Sequence, residues 1–137
     1  MTWPMPLALV MAPAVCWCAA PPAAGAPLDV AEFERLTTGK TFFYTRNGQS
    51  YGAEQYLPGR RVVWAFTGDD CLKGTWFPVG DSICFVYDGK PDPQCWRFAE
   101  GGGGLEARYA GDPSGLPLIA RQSSPEPMAC MGPDVGV

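Results

Sequence analysis

Cys71, Cys84 and Cys95, with Cys130 further on, are the residues whose type best suits them to chemistry in this chain. Four thiols could ligate a metal, cycle as a redox pair or be locked into disulfides, and their spacing separates these uses. All-cysteine zinc sites draw their ligands from close C-x2-C pairs, and a dithiol redox centre needs C-x-x-C. Here the successive gaps are twelve, ten and thirty-four residues. No histidine occurs, which removes the commonest nitrogen ligand and the commonest general base. Two disulfides are therefore expected. Four cysteines allow three pairings, and the local pattern favours one. If "SICFVY" and "QCWRF" form a hairpin about Asp88-Gly89 with Cys84 facing Cys95, then Ile83 faces Trp96 and Phe85 faces Gln94. The apolar side chains, Phe98 included, then share one face and the sulfurs the other. The favoured set is Cys84–Cys95 with Cys71–Cys130, the other two staying open.

Other chemistry is thinly represented. Without histidine, Ser-His-Asp and Cys-His arrangements cannot be built, and neither G-x-S-x-G nor a phosphate-binding P-loop is present. "GGGGL" lacks the Lys-Ser/Thr that would follow in such a loop and reads as a turn. Asp69, Asp70, Asp81, Asp88, Asp92 and Glu54 could supply a carboxylate pair. Nearly all stand beside Gly or Pro, so they read as turn residues. "DGKPDP" departs from the calcium-loop pattern. No catalytic residue, metal or cofactor is expected. Trp64, Trp76 and Trp96 are the candidates to face a ligand inside a small barrel, against the plainer reading that they fill its core. Tyr44, Tyr51 and Tyr56 read equally well as surface aromatics that would mark a protein partner.

The elements that must position these residues are short. In "LDVAEFERLTTGK", Asp29 with Glu32 three residues on makes a capping box. Val30, Phe33 and Leu36 fall near one face of the resulting helix, and Gly39 ends it. From Thr41 onward the pattern changes to strands separated by turn chemistry. "TFFYTR" and "QSYGAEQYL" flank Asn47-Gly48, a strong two-residue hairpin signal. "RRVVWAFT", "KGTWFPV", "SICFVY", "QCWRFAE", "LEARYA" and "LPLIARQ" follow between Gly- and Asp-rich turns. Val62, Trp64 and Phe66 alternate most clearly. The expected fold is all-β, an antiparallel meander of about eight strands, barrel-like or strongly curled, with one short N-terminal helix.

The 137 residues suffice for one domain. The net charge of -4 and the lack of a basic cluster beyond Arg60-Arg61 exclude the footprint of a nucleic-acid binder. Before Asp29 there is no charged side chain. Leu7–Ala20 has the length of a signal-peptide core, too short for a membrane span, and Ala23-Ala24-Gly25 offers cleavage before Ala26. The departure from the usual pattern is an n-region without Lys or Arg. The expected organisation is a signal peptide at 1–25 and a single disulfide-stapled β-domain at 26–137, with no membrane span after cleavage. Its expected location is the periplasm or the medium, where disulfides persist.

The combination "YGAEQYLPGRRVVWAF", "CLKGTW", "ICFVY", "QCW" and "CMGPDVGV" resembles a group of small exported alphaproteobacterial proteins of unknown function. The resemblance covers roughly Phe33 to Val137. It implies an envelope or periplasmic location and a disulfide-bearing β-domain, and it carries no catalytic residues. Three classes of function follow. The first is a non-catalytic, monomeric binding or interaction module for an envelope protein or glycan. The second is a small-ligand carrier using the barrel interior, and the third a carboxylate-based hydrolase.

Overall fold

Asn47 and Gly48 both take positive φ, 50° and 77°, the turn that matches the right-handed twist of paired strands. This turn joins β1 (Thr41–Arg46) to β2 (Gln49–Leu57). The meander continues through β3 (Arg61–Phe66), β4 (Leu72–Val79), β5 (Ser82–Tyr87) and β6 (Lys90–Gly101), then β7 (Gly104–Tyr109) and β8 (Leu118–Ser124). Each strand pairs antiparallel with the next, and β8 returns to pair with β1, closing an eight-stranded barrel. Closure removes the free edges that an open sheet of this size would expose. The computed structural model describes residues 1–2, 13–18 and 25–130. Most of the expected signal peptide, with its cleavage site up to Ala24, lies outside the described residues, as do residues 131–137.

One end of the barrel is plugged. The capping box forms: the Glu32 amide donates to the Asp29 carboxylate (2.8 Å), and the Asp29 amide donates to the Glu32 carboxylate (3.1 Å). It starts α1 (Val30–Thr37), and Gly39, at φ 83°, lets the chain leave it. Eight residues cannot hold a helix by propensity alone, so packing must do so. Phe33 supplies it, fully buried, with ring centroids 4.6 Å from Phe98, 5.2 Å from Trp76 and 5.6 Å from Tyr56. Burying one such side chain contributes about 1.5–3 kcal/mol. Backbone ties hold both ends of α1 to the barrel. The Leu28 amide donates to the Phe98 carbonyl (2.7 Å), and the Gly39 amide to the Tyr56 carbonyl (2.8 Å).

Cys84 is paired with Cys95 across β5 and β6, Ile83 stands opposite Trp96, and Phe85 stands opposite Gln94. This is the register that hairpin logic expects. Cys71 pairs with Cys130, which fastens the proline-containing tail over the outer face of β2 and β3. The Met128 amide donates to the Gln55 side-chain oxygen (3.2 Å), and the Thr41 hydroxyl donates to the Glu126 carbonyl (2.8 Å). Outward-facing Val63 and Gln55 are buried as a result.

β6 is longer than "QCWRFAE" suggests, because Pro91 and Pro93 lie within it. Pairing with β7 reaches only to Trp96 opposite Tyr109. Residues 90–95 therefore have β5 on one side and no strand on the other, where a missing N–H costs little. Elsewhere the outer face carries charge, including Arg61, Lys73, Arg97, Glu106 and Arg121, while the core faces inward. That is the inverse of the lipid-facing pattern of membrane-spanning barrels. Among the described residues, no helix is long and apolar enough to cross a membrane.

Candidate functional site

The helix closes the end of the barrel that carries the β2–β3, β4–β5 and β6–β7 turns. At the opposite end, between the β1–β2, β3–β4, β5–β6 and β7–β8 connections, the interior is a chamber of about 90 Å3. Two roomier depressions, about 440 and 420 Å3, lie outside the barrel. One is on the face of β3 and β4 beside Cys130, and the other is between α1 and the β6–β7 turn. Neither gathers buried polar groups as the chamber does.

Three levels make up the chamber. Deepest are Tyr56 and Phe98, the rings that also touch Phe33 of the plug. Above them Trp64, Phe85 and Trp96 form the walls, and Tyr51, Phe66, Leu72, Lys90 and Gln94 surround the mouth. The rings of Phe85 and Tyr87 lie nearly parallel, 7° apart in plane and 6.3 Å between centroids, making one aromatic wall. At the mouth the Arg46 guanidinium stands 4.5 Å above the Tyr51 ring, a cation–π contact.

Within this aromatic lining sits Glu54, 2% exposed. The Tyr87 hydroxyl donates to both of its carboxylate oxygens, at 3.2 and 3.0 Å. Nearby, the Tyr44 and Tyr56 hydroxyls share a hydrogen bond of 2.9 Å. Burial holds the Glu54 carboxyl well above its ordinary value, and the hydrogen bond from Tyr87 opposes that shift in part. Burial likewise pushes the Tyr44, Tyr56 and Tyr87 hydroxyls up, so all three stay neutral. None of the three ion pairs among the described residues, Arg60–Glu34, Arg97–Asp81 and Arg108–Glu106, includes Glu54.

Several expectations are corrected here. Glu54 is no turn residue: it lies in β2, opposite Trp64 of β3, on the interior face. Tyr44 and Tyr56 are buried rather than displayed, because the barrel closes around them; Tyr51 is half-buried at the mouth. Of the three tryptophans, Trp64 and Trp96 line the chamber and Trp76 does not. β4 runs from the open end at Leu72 toward the closed end at Val79, which brings Trp76 level with α1. There it packs edge-on against Phe33, under the Arg60 guanidinium at 4.7 Å. Asp69, Asp70, Asp81 and Asp88 do lie in or beside turns, whereas Asp92, expected there too, lies within β6 between Pro91 and Pro93; all five are exposed. Glu54 is the one carboxylate among the residues lining the chamber. Among the described residues, no cluster of three or more His, Cys, Asp or Glu could hold a metal.

The position of Glu54 was recoverable in principle. Val62, Trp64 and Phe66 define the inward face of β3, and the short turn at Pro58-Gly59-Arg60 sets Leu57 opposite Arg61. Counting back along β2 then puts Tyr56 opposite Val62 and Glu54 opposite Trp64.

Fold and site together define a small disulfide-stapled antiparallel barrel, plugged by a helix at one end and open at the other into an aromatic, acid-bearing chamber. Comparison with protein-family models, with the curated proteins and with solved structures finds no match to this chain.

Proposed function

We propose that this chain is an exported, non-catalytic binding protein that takes a small organic ligand into the open end of its barrel. The carrying observation is the chamber itself: concave, mostly apolar, and furnished with a few converging polar groups, as ligand sites are. Its volume gives room for about six to nine water-sized groups at roughly 10–15 Å3 each, so the ligand is small. Two disulfides accord with a chain that folds in an oxidising compartment.

Recognition of an envelope protein or glycan through an outer aromatic patch has less support. The exposed rings of the barrel are Phe43 on β1, Phe66 on β3, Phe77 on β4 and Tyr109 on β7, and the two on adjacent strands, Phe66 and Phe77, stand toward opposite ends. A paired-carboxylate hydrolase needs a second acid at a defined distance, and Glu54 has none beside it in the chamber.

Native mass spectrometry of the chain purified from an exporting host tests the proposal. A bound mass that is lost on denaturation, or quenching of Trp64 and Trp96 fluorescence by added indole or toluene, is the expected result. Absence of both would refute a binding role for the chamber. Peptide mapping without reduction should recover Cys71 with Cys130 and Cys84 with Cys95; free thiols at these positions would refute export.

A further inference from the structure

Among the described residues, the fold gives the ionised form of Glu54 no cationic partner. A carboxyl group in a buried aromatic setting costs stability unless it is paired or kept neutral. Among the described residues its only hydrogen-bond donor is the Tyr87 hydroxyl, and no cationic side chain pairs with it. The closed end is packed with aromatic rings around Phe33, and the chamber opens at the other end. A compensating positive charge can therefore come from outside.

The surroundings specify what kind. Aromatic faces carry negative potential and attract cations, most strongly where water is excluded. Tyr87, Trp64 and Phe85 line the chamber together with the carboxyl group, the Phe85 and Tyr87 rings nearly parallel. Apart from that carboxyl the walls around it are rings, and the Tyr44 and Tyr56 hydroxyls bond each other, so the three N–H donors of a primary ammonium find few acceptors there. A quaternary ammonium group has no N–H to satisfy, and it needs only aromatic faces and a nearby negative charge. The mouth adds long-range attraction. Asp69, Asp70, Asp88, Asp92 and Asp112 lie in or near the open-end connections and outnumber Arg46, Lys73, Lys90 and Arg108 there by one.

We propose that the chamber binds a small quaternary ammonium compound, with its cationic head against the aromatic wall beside Glu54. This rests on the reading of the chamber as a ligand site and names the ligand's class. Binding favours the ionised form of Glu54, so wherever the empty site is protonated the complex forms with release of that proton. Facing that carboxyl are the neutral hydroxyls of Tyr44, Tyr56 and Tyr87. Lys90 lines the mouth, Arg46 stands over the Tyr51 ring beside it with its Nε buried and, among the described residues, without a hydrogen-bond partner, and Leu72, Trp96, Ala107 and Leu118 bring no charge from the remaining strands. Affinity should accordingly weaken as pH falls, by up to about tenfold per pH unit while the empty site is protonated.

The test is calorimetric titration of the full disulfide-intact chain with choline and with 3,3-dimethylbutan-1-ol, its uncharged carbon isostere. Choline should bind at least about tenfold tighter than the isostere. Glu54→Gln should clearly reduce that preference while still binding the isostere, which also reports that the variant is folded. Equal binding of the two compounds, or an unchanged preference in Glu54→Gln, would overturn the cationic assignment and leave the chamber as a site for neutral ligands. If indole or toluene binds and neither of these compounds does, the assignment likewise fails while the ligand-site reading stands. If nothing enters the chamber, both fall.

Discussion

Replacing Glu54 by glutamine should change how the stability of the empty protein depends on pH. The folded carboxyl titrates well above its ordinary value of 4.5, chiefly through burial. Between 4.5 and that raised value, the folded chain holds a proton that the unfolded chain has released. Stability contributed by the protonated group is thus fully present below the ordinary value. It declines as pH rises, until the folded group also ionises. A single group differing by a full proton gives a slope of about 1.4 kcal/mol per pH unit. The glutamine side chain has the same shape, can still accept from the Tyr87 hydroxyl and carries no titrating proton. Relative to wild type, Glu54→Gln should therefore gain up to about 1.4 kcal/mol for each pH unit above about pH 5. The Tyr44, Tyr56 and Tyr87 hydroxyls are pushed upward and add no slope over this range. Arg46 and Lys90 at the mouth are common to both proteins. Urea unfolding at pH 5, 6, 7 and 8, with disulfides intact and in buffers free of ammonium compounds, measures the difference directly. A stability difference that stays constant across those pH values would refute the buried, unpaired carboxyl and the reasoning built on it.

Three further outcomes follow from packing and covalent geometry. Cys84→Ser opens the short loop, with its sequence separation of 11; it should cost about 3 kcal/mol on a chain-entropy estimate. Iodoacetamide should then label Cys95 while Cys71 and Cys130 stay blocked, and labelling of Cys71 would contradict the pairing. Phe33→Ala removes the plug's only fully buried aromatic ring and should destabilise by about 3–5 kcal/mol. A loss below about 1 kcal/mol in thermal or urea unfolding, well under that range, would mean that α1 does not close the barrel. Gly52→Ala would place a methyl carbon 2.6 Å from both the Ala65 carbonyl oxygen and Cζ2 of Trp64. Overpacking of that kind should cost about 1–3 kcal/mol and perturb Trp64 fluorescence; an unchanged midpoint and spectrum would show that Trp64 is free to move.

Local chemistry was sufficient for much of the architecture. The capping box at Asp29 and Glu32, the Asn47-Gly48 turn and the Asp88-Gly89 turn act over a few residues, and each appears where the sequence puts it. Once that last turn is set, the period-2 rule alone brings Cys84 opposite Cys95. The length of β6 was harder to read, because Pro91 and Pro93 are tolerated only where β7 has already ended, a fact about a neighbouring strand. β2 was harder still. "QSYGAEQYL" has apolar and polar residues on both alternating faces, so its own periodicity does not choose which face turns inward.

That choice belongs to tertiary structure. Pairing with β3 decides that Glu54 and Tyr56 point inside, and closure of β8 onto β1 turns an inward face into an enclosed one. Trp64 and Trp76 are alike as residues, yet one lines the chamber and the other braces the plug, because depth along the barrel axis depends on where the helix seats. Sequence alone determined the strands, their turns and the Cys84–Cys95 pair, since these arise from interactions between near neighbours or along one hairpin; Cys71–Cys130, 59 residues apart, followed only as the remaining pair. Only the closed fold decided that a carboxyl group would be buried among aromatic rings at an open mouth. Burial is a property of what surrounds a residue from every side, and for Glu54 those surroundings come from strands far apart in the chain.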